Sequence, residues 1–307
     1  MFRGIALKLA STFAFIAMST LVKLVADGYP LGEVIFFRAF FAMIPLLIWL
    51  GMRGELISSV VDTKPRNHIR RCIAGTTGMF FSFGALTNLP LPDATAIGYV
   101  TPILTTAFAA IFLHEQVRGY RWTAVFLGFC GMLVMVSPHL SSLTSPDSHS
   151  DLSALGASLG LGGAICSAFA TLEVRKLSQA ERTGSIVFYF TLTTSLASGA
   201  TVLFGWTLPD WHDGLLLVGS GIMGGVGQIL LTSSYRHADV SVIAPFDYCS
   251  LLWALVIGYF MFGDLPNPVV LSGAAIVIVA GVTVIIRERQ LGLKLQAERE
   301  SGHHRNT

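Results

Sequence analysis

The chain has 307 residues, of which 53% are hydrophobic and 12% are charged, and its mean hydropathy is +0.66. Soluble domains carry about 25% charged residues, so this composition excludes an ordinary soluble protein and indicates an integral membrane protein. The net charge of +2 is uninformative as a total, and the four cysteines lie one each in separate apolar runs, which indicates no disulfide framework and no cluster of metal ligands. We therefore expect no cofactor, no metal and no nucleic-acid partner, and a lipid bilayer as the surroundings.

Ten apolar runs follow one another along the chain. A helix that rises about 1.5 Å per residue needs about 20 residues to cross a hydrocarbon core of about 30 Å. Because lipid offers no partner to unpaired backbone groups, we predict an all-α integral membrane protein with ten transmembrane helices. The first run resembles a signal peptide, but Lys8 interrupts it and nine runs follow, so we interpret it as an uncleaved span. The predicted spans 1 to 10 are 4–25, 32–51, 68–87, 93–113, 120–137, 153–174, 184–205, 212–235, 239–262 and 267–286.

Basic residues mark alternate connections between the spans. Of the 20 lysine and arginine residues, all except Lys8, Lys23 and Arg38 lie at the termini, in every second connection, or within the first four residues of a span that follows such a connection. The remaining connections carry aspartates and no basic residue. The positive-inside rule then places both termini in the cytoplasm and agrees with an even number of spans. We call the two sides of the helix bundle the basic end and the acidic end.

The chain contains an internal repeat. The stretch from Tyr99 to Val117 is similar to the stretch from Pro245 to Asn267, and a step of 149 residues leads from Glu115 to Asp264. An external linker, 138–152, separates two five-helix repeats at 1–137 and 153–286, and a polar cytoplasmic tail follows at 287–307. An odd number of spans per repeat makes the second repeat inverted. Inverted repeats with a site near the midplane are typical of alternating-access carriers.

These features resemble the ten-span EamA family of the drug/metabolite transporter superfamily. The resemblance covers essentially the whole chain. It rests on Arg38 in the segment FFRAFFAMIPLL of span 2 and on the segment DATAIGYVTPILTTAFAAIFLHEQV of span 4. It rests also on the corresponding segment of the second repeat, DVSVIAPFDYCSLLWALVIGYFMFGDLP. Glu115 and Asp264 match the acid that ends a helix in each family repeat. Leu251 departs from the family, because many members have a second proline at the position that corresponds to Pro102.

The resemblance implies a carrier of small metabolites in the bacterial inner membrane. In the family, spans 1–4 and 6–9 surround a central cavity, and spans 5 and 10 lie at the periphery. The segments APFDY, GQILL and RGIALKLAS are similar to segments of a subgroup that includes bacterial riboflavin importers, so riboflavin is the candidate substrate. Amino acids, S-adenosylmethionine and other small metabolites are the alternatives, and the direction of transport stays open.

Two charged residues within spans are the main candidates for a binding site. Arg38 lies about six residues into span 2 among four phenylalanines. We predict that it faces inward and binds an anionic or carbonyl group of the substrate, or pairs with an acid; the alternative is snorkelling to the interface. Asp247 lies in span 9, on the other side of the midplane and about 10 Å away along the membrane normal. It either pairs with Arg38 or is a protonatable residue that couples transport to a proton gradient.

Four further residues with polar tips lie inside the spans: Tyr99, Gln228, Tyr248 and Trp253. A planar substrate could stack on Tyr99 or Trp253 while Gln228 supplies an amide. An interfacial aromatic belt is the alternative for the aromatic residues. For Lys8, Lys23, Glu33 and Glu173, which lie near span ends, we expect snorkelling or a rim position. The glycines from Gly219 to Gly225 match a dinucleotide-binding pattern, but without a preceding strand they indicate close helix packing.

Two other classes of function compete with a carrier. An intramembrane enzyme would need paired acids, an HExxH motif or a serine nucleophile motif within the spans, and the sequence contains none of these patterns. A receptor or scaffold would need a soluble module, and the connections are too short to supply one. We therefore predict that the protein is not an enzyme and that it moves a small molecule by secondary transport.

Overall fold

The computed structural model describes residues 1–25, 28–61, 63, 65–88, 97–115, 117–137, 150–262 and 268–303. Within these residues every regular element is helical. Six helices are long and apolar enough to cross a membrane, and three shorter apolar helices accompany them. Together with Pro65–Asn88 they account for the ten predicted spans, so the all-α membrane fold is confirmed. Asp264, residues 93–96 of span 4 and most of the predicted linker lie outside the described residues.

The spans begin and end close to the predicted residues, with four exceptions. Span 2 is divided at Ala42, span 9 is divided by a 3-10 turn, and the helix of span 6 ends at Ala180, six residues beyond the predicted end. The last helix continues far into the predicted polar tail because that tail is rich in strong helix formers. The spans are, in order, Phe2–Lys23; Leu31–Phe41 with Met43–Arg53; Pro65–Asn88; Thr101–Phe112; Gly119–Val136; Ser150–Ala180; Thr183–Gly199 with the 3-10 turn Ala200–Phe204; Trp211–His237; Val240–Ile243 with Ala244–Tyr248 and Cys249–Phe262; and Pro268–His303. A short helix, Leu56–Val61, lies between spans 2 and 3.

The helix packing has an internal two-fold relation. The most extensive contacts join span 3 to span 6, span 1 to span 8, and span 5 to span 10. If a two-fold axis exchanges each span with the span five places further on, the pair 1 and 8 becomes the pair 6 and 3. The pair 5 and 10 becomes itself. Each of these interfaces joins one repeat to the other, so the two inverted repeats form one bundle.

Hydrogen bonds across the repeats identify the two ends of this bundle. At the acidic end, the Tyr29 hydroxyl donates to Asp213 over 2.9 Å, and this hydrogen bond raises the pKa of Tyr29 above its ordinary value. At the basic end, Asn67 donates to Glu181 over 3.0 Å. Burial acts to raise the pKa of Glu181, but hydrogen bonds from Thr63 and Asn67 outweigh it and lower that pKa overall. Consecutive connections therefore alternate between the ends, as a transmembrane bundle requires.

The glycines of span 8 let it approach span 2 closely. A Cβ atom on Gly225 would lie 2.6 Å from the Ala42 carbonyl oxygen, and one on Gly221 would lie 2.5 Å from the Phe41 Cβ atom. No real side chain tolerates such distances without a shift of the backbone. The pattern therefore serves helix packing, as predicted, and the approach holds the divided part of span 2 against the bundle interior.

We expect Gly225→Ala to destabilise the protein by about 1–3 kcal/mol, because an added methyl group overpacks a close helix contact. The matched control is Gly214→Ala in the same span, where an added Cβ meets nothing within 4 Å. This control should be neutral or slightly stabilising, since alanine favours a helix more than glycine does. Thermal unfolding of the two purified variants in detergent would measure the difference. Equal midpoints would contradict the packing role.

Candidate functional site

Two equivalent tyrosines meet where the repeats face each other. The 149-residue step that relates spans 4 and 9 also relates Tyr99 to Tyr248. Their ring centroids lie 6.0 Å apart, and the Tyr248 hydroxyl donates to the Tyr99 carbonyl oxygen over 3.3 Å. The Tyr99 hydroxyl lies 2.7 Å from the Ser250 hydroxyl. The two-fold axis therefore passes close to this pair, and Tyr248, which is fully buried, packs in the interface rather than in an interfacial belt.

Arg38 lines a cavity between the repeats. The cavity is bounded by spans 2, 3, 7 and 8, and Gln228, which is 8% exposed, also lines it. The structure thus brings together two of the predicted site residues. The full lining is Arg38, Ala39, Ala42, Met79, Phe190, Thr191, Thr194, Gly224 and Gln228.

The Arg38 guanidinium has sulfur atoms as its neighbours. Its Nε donates to the Met18 sulfur over 2.8 Å, and its Nη1 donates to the Met79 sulfur over 2.9 Å. Thioether sulfur is a weak acceptor. Within the described part of the chain, Arg38 forms no ion pair. The Arg38 N–H groups therefore have only weak acceptors among their described partners, and a substrate oxygen would be a much better acceptor.

Asp247 pairs with Lys8, and not with Arg38. The Lys8 Nζ lies 2.6 Å from the Asp247 Oδ1, with 3% of the lysine side chain and 34% of the aspartate side chain exposed. The alternative pairing with Arg38 is wrong, and so is the expectation that Lys8 snorkels. The reason is packing: span 1 lies against span 9, where Trp253 donates to the Thr12 hydroxyl over 3.2 Å. Because this contact turns one face of span 1 inward, Lys8 points into the bundle.

The predicted residues thus form two clusters, which contact span 1 at two different heights. The Arg38 cluster includes Met18, and the Asp247 cluster includes Lys8 and Thr12. Ten residues separate Lys8 from Met18, which corresponds to about 15 Å along a helix. The Arg38 cluster lies toward the acidic end and the Asp247 cluster toward the basic end. Gln228 belongs to the first cluster, whereas Tyr99, Tyr248 and Trp253 accompany Asp247.

Asp247 lies in the break of span 9. The 3-10 turn Ala244–Tyr248 interrupts this span, and Pro245 at its start has no N–H to donate. Interrupted helices near the midplane commonly carry the substrate or coupling-ion sites of carriers, because their free backbone groups and their bends can change. The break was not predicted from the sequence, although Pro245 is the residue that signals it.

Two other acids, Glu33 and Glu173, lie near the span ends. Glu33 is fully buried, and its carboxylate accepts the backbone N–H of Thr207 over 3.0 Å. Glu173 is 8% exposed and accepts from Lys176 over 3.2 Å. Thr207 belongs to the connection between spans 7 and 8, and the Lys176 side chain is 44% exposed. Both acids therefore lie at the edge of the bundle, with their own side chains buried. The side chain of Lys23 lies outside the described residues.

Glu115 joins the two repeats at the basic end. Its carboxylate accepts the backbone N–H of Val240 and of Ser241, each over 3.1 Å, and the Ser241 hydroxyl over 2.9 Å. An acid at a helix N-terminus satisfies free N–H groups and the helix dipole. Arg175 strengthens the junction through Asp239 at 2.7 Å. The acid that ends span 4 therefore caps span 9 of the opposite repeat.

Comparison with known proteins agrees with this arrangement. The chain is 27% identical over 285 residues to the pseudopaline exporter CntI of Pseudomonas aeruginosa, which covers 92% of this chain and 95% of that protein. It is 28% identical over 260 residues to the S-adenosylmethionine uptake transporter of Rickettsia felis, with 84% of each chain covered. It is 27% identical over 244 residues to the riboflavin transporter of Vibrio cholerae, with 79% and 77% covered.

A solved crystal structure shares the fold, with a TM-score of 0.80 at 15% identity over 94% of this chain and 97% of the other. The named relatives are all transporters, so the chain is a transporter of small molecules and not an enzyme. The model of the EamA-like transporter family matches residues 2–137 and 154–287. The chain therefore belongs to the EamA-like transporter family of the drug/metabolite transporter superfamily.

Proposed function

We propose that the protein is a secondary transporter that moves a small organic metabolite across the bacterial inner membrane by alternating access. The observation that carries this proposal is Arg38, a cation inside the bundle whose described neighbours are sulfur atoms and no carboxylate. A cation in the membrane interior is costly unless it is paired or serves the transported substrate. Arg38 and Gln228 together offer a charged fork and an amide to a bound molecule.

The substrate that fits this site best carries an oxygen anion. A guanidinium binds a carboxylate through two parallel hydrogen bonds, which are about twice as strong as bonds between neutral groups. An amino acid or S-adenosylmethionine offers such a carboxylate. Riboflavin, the candidate that the sequence wording suggests, offers ring carbonyls to Arg38 and a planar ring to aromatic residues such as Tyr99 and Trp253. The unpaired charge favours the carboxylate compounds, and riboflavin is retained as the second candidate.

The two repeats, 1–137 and 153–286, are the halves that rock against each other in this proposal. Contacts between the repeats support it at both ends: Glu115 caps span 9 at the basic end, and Tyr29 bonds to Asp213 at the acidic end. Alternating access requires that one set of contacts opens while the other closes. Short polar contacts of this kind can separate. The glycine-packed interface of spans 2 and 8 meanwhile holds the two repeats together.

Asp247 is the residue that we propose for proton coupling. Its place in the break of span 9 and its partly exposed side chain make it reachable by a proton. The ion pair with Lys8 is the contact that we propose to break when Asp247 takes up a proton. Asp247 lies toward the basic end of the bundle, which the positive-inside rule places in the cytoplasm.

The test is uptake into proteoliposomes that contain the purified full chain. The panel consists of labelled S-adenosylmethionine, amino acids and riboflavin, each with and without an imposed pH gradient. We expect at least one carboxylate compound to enter faster than into protein-free liposomes and to be recovered chemically unchanged. A panel in which riboflavin alone moves would replace the carboxylate by the ring carbonyls. Chemical conversion of a compound without its transfer would contradict a transporter.

A further inference from the structure

Arg71 is a buried arginine that the sequence pattern did not distinguish from its neighbours. We predicted it as one of several basic residues at the cytoplasmic start of span 3. The adjacent Arg70 is indeed exposed, but Arg71 is only 5% exposed. Its Nε and Nη1 are buried and have no hydrogen-bond partner among the described residues. Two of its three guanidinium nitrogens have therefore lost water without gaining an acceptor, which is costly.

The direction of the Arg71 side chain argues against snorkelling. Helical side chains lean toward the N-terminus of their helix, and the nearby basic end of the bundle lies in that direction for span 3. Arg71 extends the other way, and its Nη1 occupies the space that a Cβ atom on Gly75 would fill. Gly75 lies one turn further into the membrane. The absence of a side chain at Gly75 therefore makes room for a guanidinium that points into the bundle.

The Arg71 guanidinium lies beside the Arg38 cavity. Its central carbon is 3.9 Å from the centroid of the Phe190 ring, and Phe190 also lines the cavity with Arg38. One turn beyond Gly75, span 3 contributes Met79, whose sulfur contacts Arg38. The two guanidinium groups are therefore placed around the same cavity wall, and two like charges in one apolar region repel each other. Without an anion between them, this juxtaposition is unfavourable.

The charges of this part of the bundle do not balance. Lys8 and Asp247 form an ion pair, and Glu33 contacts the backbone of Thr207 rather than an arginine. Arg38 and Arg71 are left as two positive charges without a carboxylate partner among the described residues. An occupant with two negative groups would neutralise both and satisfy their free donors.

We propose that Arg71 is a second substrate-binding residue and that, with Arg38, it selects metabolites that carry two carboxylates. This inference rests on the proposed function, because it names the substrate class of the same cavity. One carboxylate is bound by Arg38 and Gln228. The other is bound by Arg71, held in place by the Phe190 ring and the space over Gly75.

The test uses simple anions on the purified full chain in detergent. The dicarboxylates succinate, glutarate and adipate are compared with butyrate, valerate and hexanoate, which have the same chain lengths and one carboxylate. Binding is measured as a concentration-dependent rise in thermal unfolding midpoint. We expect at least one dicarboxylate to bind wild-type protein at least ~10-fold more tightly than its monocarboxylate, about the worth of one charge-assisted hydrogen bond.

The variants separate Arg71 from a merely structural residue. Arg71→Gln should lose the ~10-fold preference but keep the response to the monocarboxylate, and Gly75→Ala should do the same because it displaces the guanidinium without removing its charge. Arg70→Gln is the control and should behave as wild type. Arg38→Gln should lose both responses.

The outcomes distinguish this inference from the proposed function. If Arg71→Gln keeps the dicarboxylate preference while Arg38→Gln loses all binding, the role of Arg71 is overturned and the Arg38 site stands. If the wild type shows no preference for any dicarboxylate, the substrate class is overturned, and transport of another panel compound would still support the proposed function. If Arg38→Gln binds and transports as wild type does, the proposed site itself fails.

Discussion

Replacing Arg38 with alanine should reduce uptake of the transported metabolite by at least ~100-fold while the protein inserts and folds nearly as before. The loss follows from two charge-assisted hydrogen bonds, each contributing about 1.5 kcal/mol or more. Together they contribute about 3 kcal/mol, which corresponds to a change of about 100-fold in affinity. The fold should tolerate the change, because the described partners of Arg38 are the sulfur atoms of Met18 and Met79. Removing the guanidinium therefore leaves no carboxylate among the described residues buried without its partner. Initial uptake rates, normalised to the reconstituted protein, would measure the effect.

Two variants control this experiment. Arg38→Lys keeps the charge but not the planar fork, and should restore part of the rate. Arg53→Ala removes an exposed arginine from the end of the same span, where its guanidinium stacks 4.4 Å from the Trp49 ring centroid, and should leave transport unchanged. Uptake at the wild-type rate by correctly inserted Arg38→Ala would exclude Arg38 from the binding site.

The sequence predicts the number, order and alternation of the spans because these depend on local properties. Apolar length, the distribution of basic residues and the internal repeat can each be counted along the chain. The pairing of Tyr99 with Tyr248 also follows from the repeat, since a two-fold axis brings equivalent residues together. Arg38 and Gln228 could be singled out because a polar group inside an apolar run is costly wherever it lies.

The direction in which a side chain points could not be predicted. Lys8 and Arg71 both lie near span ends, where a long cationic side chain can equally reach the interface or turn inward. The choice depends on which face of each helix meets its neighbour, and that is decided by partners far away in the chain: 239 positions separate Lys8 from Asp247. Gly75 is the one local sign for Arg71, because it lies four residues along the same helix face. The break of span 9 likewise depends on how Ala244–Tyr248 packs, although Pro245 signals it.

Replacing Asp247 with asparagine should destabilise the protein and remove the dependence of transport on a pH gradient. Lys8, at 3% exposure, would lose its carboxylate and become a buried charge without a partner. Removing one member of a buried pair costs about 3–5 kcal/mol, and solvent at the partly exposed Asp247 lowers this to about 2–3 kcal/mol. The midpoint of thermal unfolding in detergent would report the loss, and uptake with and without an imposed pH gradient would report the coupling.

The double variant Lys8→Met/Asp247→Asn separates these two effects. It removes the orphaned charge along with the carboxylate, and replacing both members of an ion pair by uncharged residues is often nearly neutral for stability. We therefore expect its unfolding midpoint to return close to that of the wild type. If Asp247 carries the coupling proton, the double variant will still ignore the pH gradient, whereas Lys8→Met, which retains Asp247, will respond to it. Recovery of gradient-dependent uptake together with stability in the double variant would show that the ion pair only holds span 1 against span 9, and that the proton is carried elsewhere.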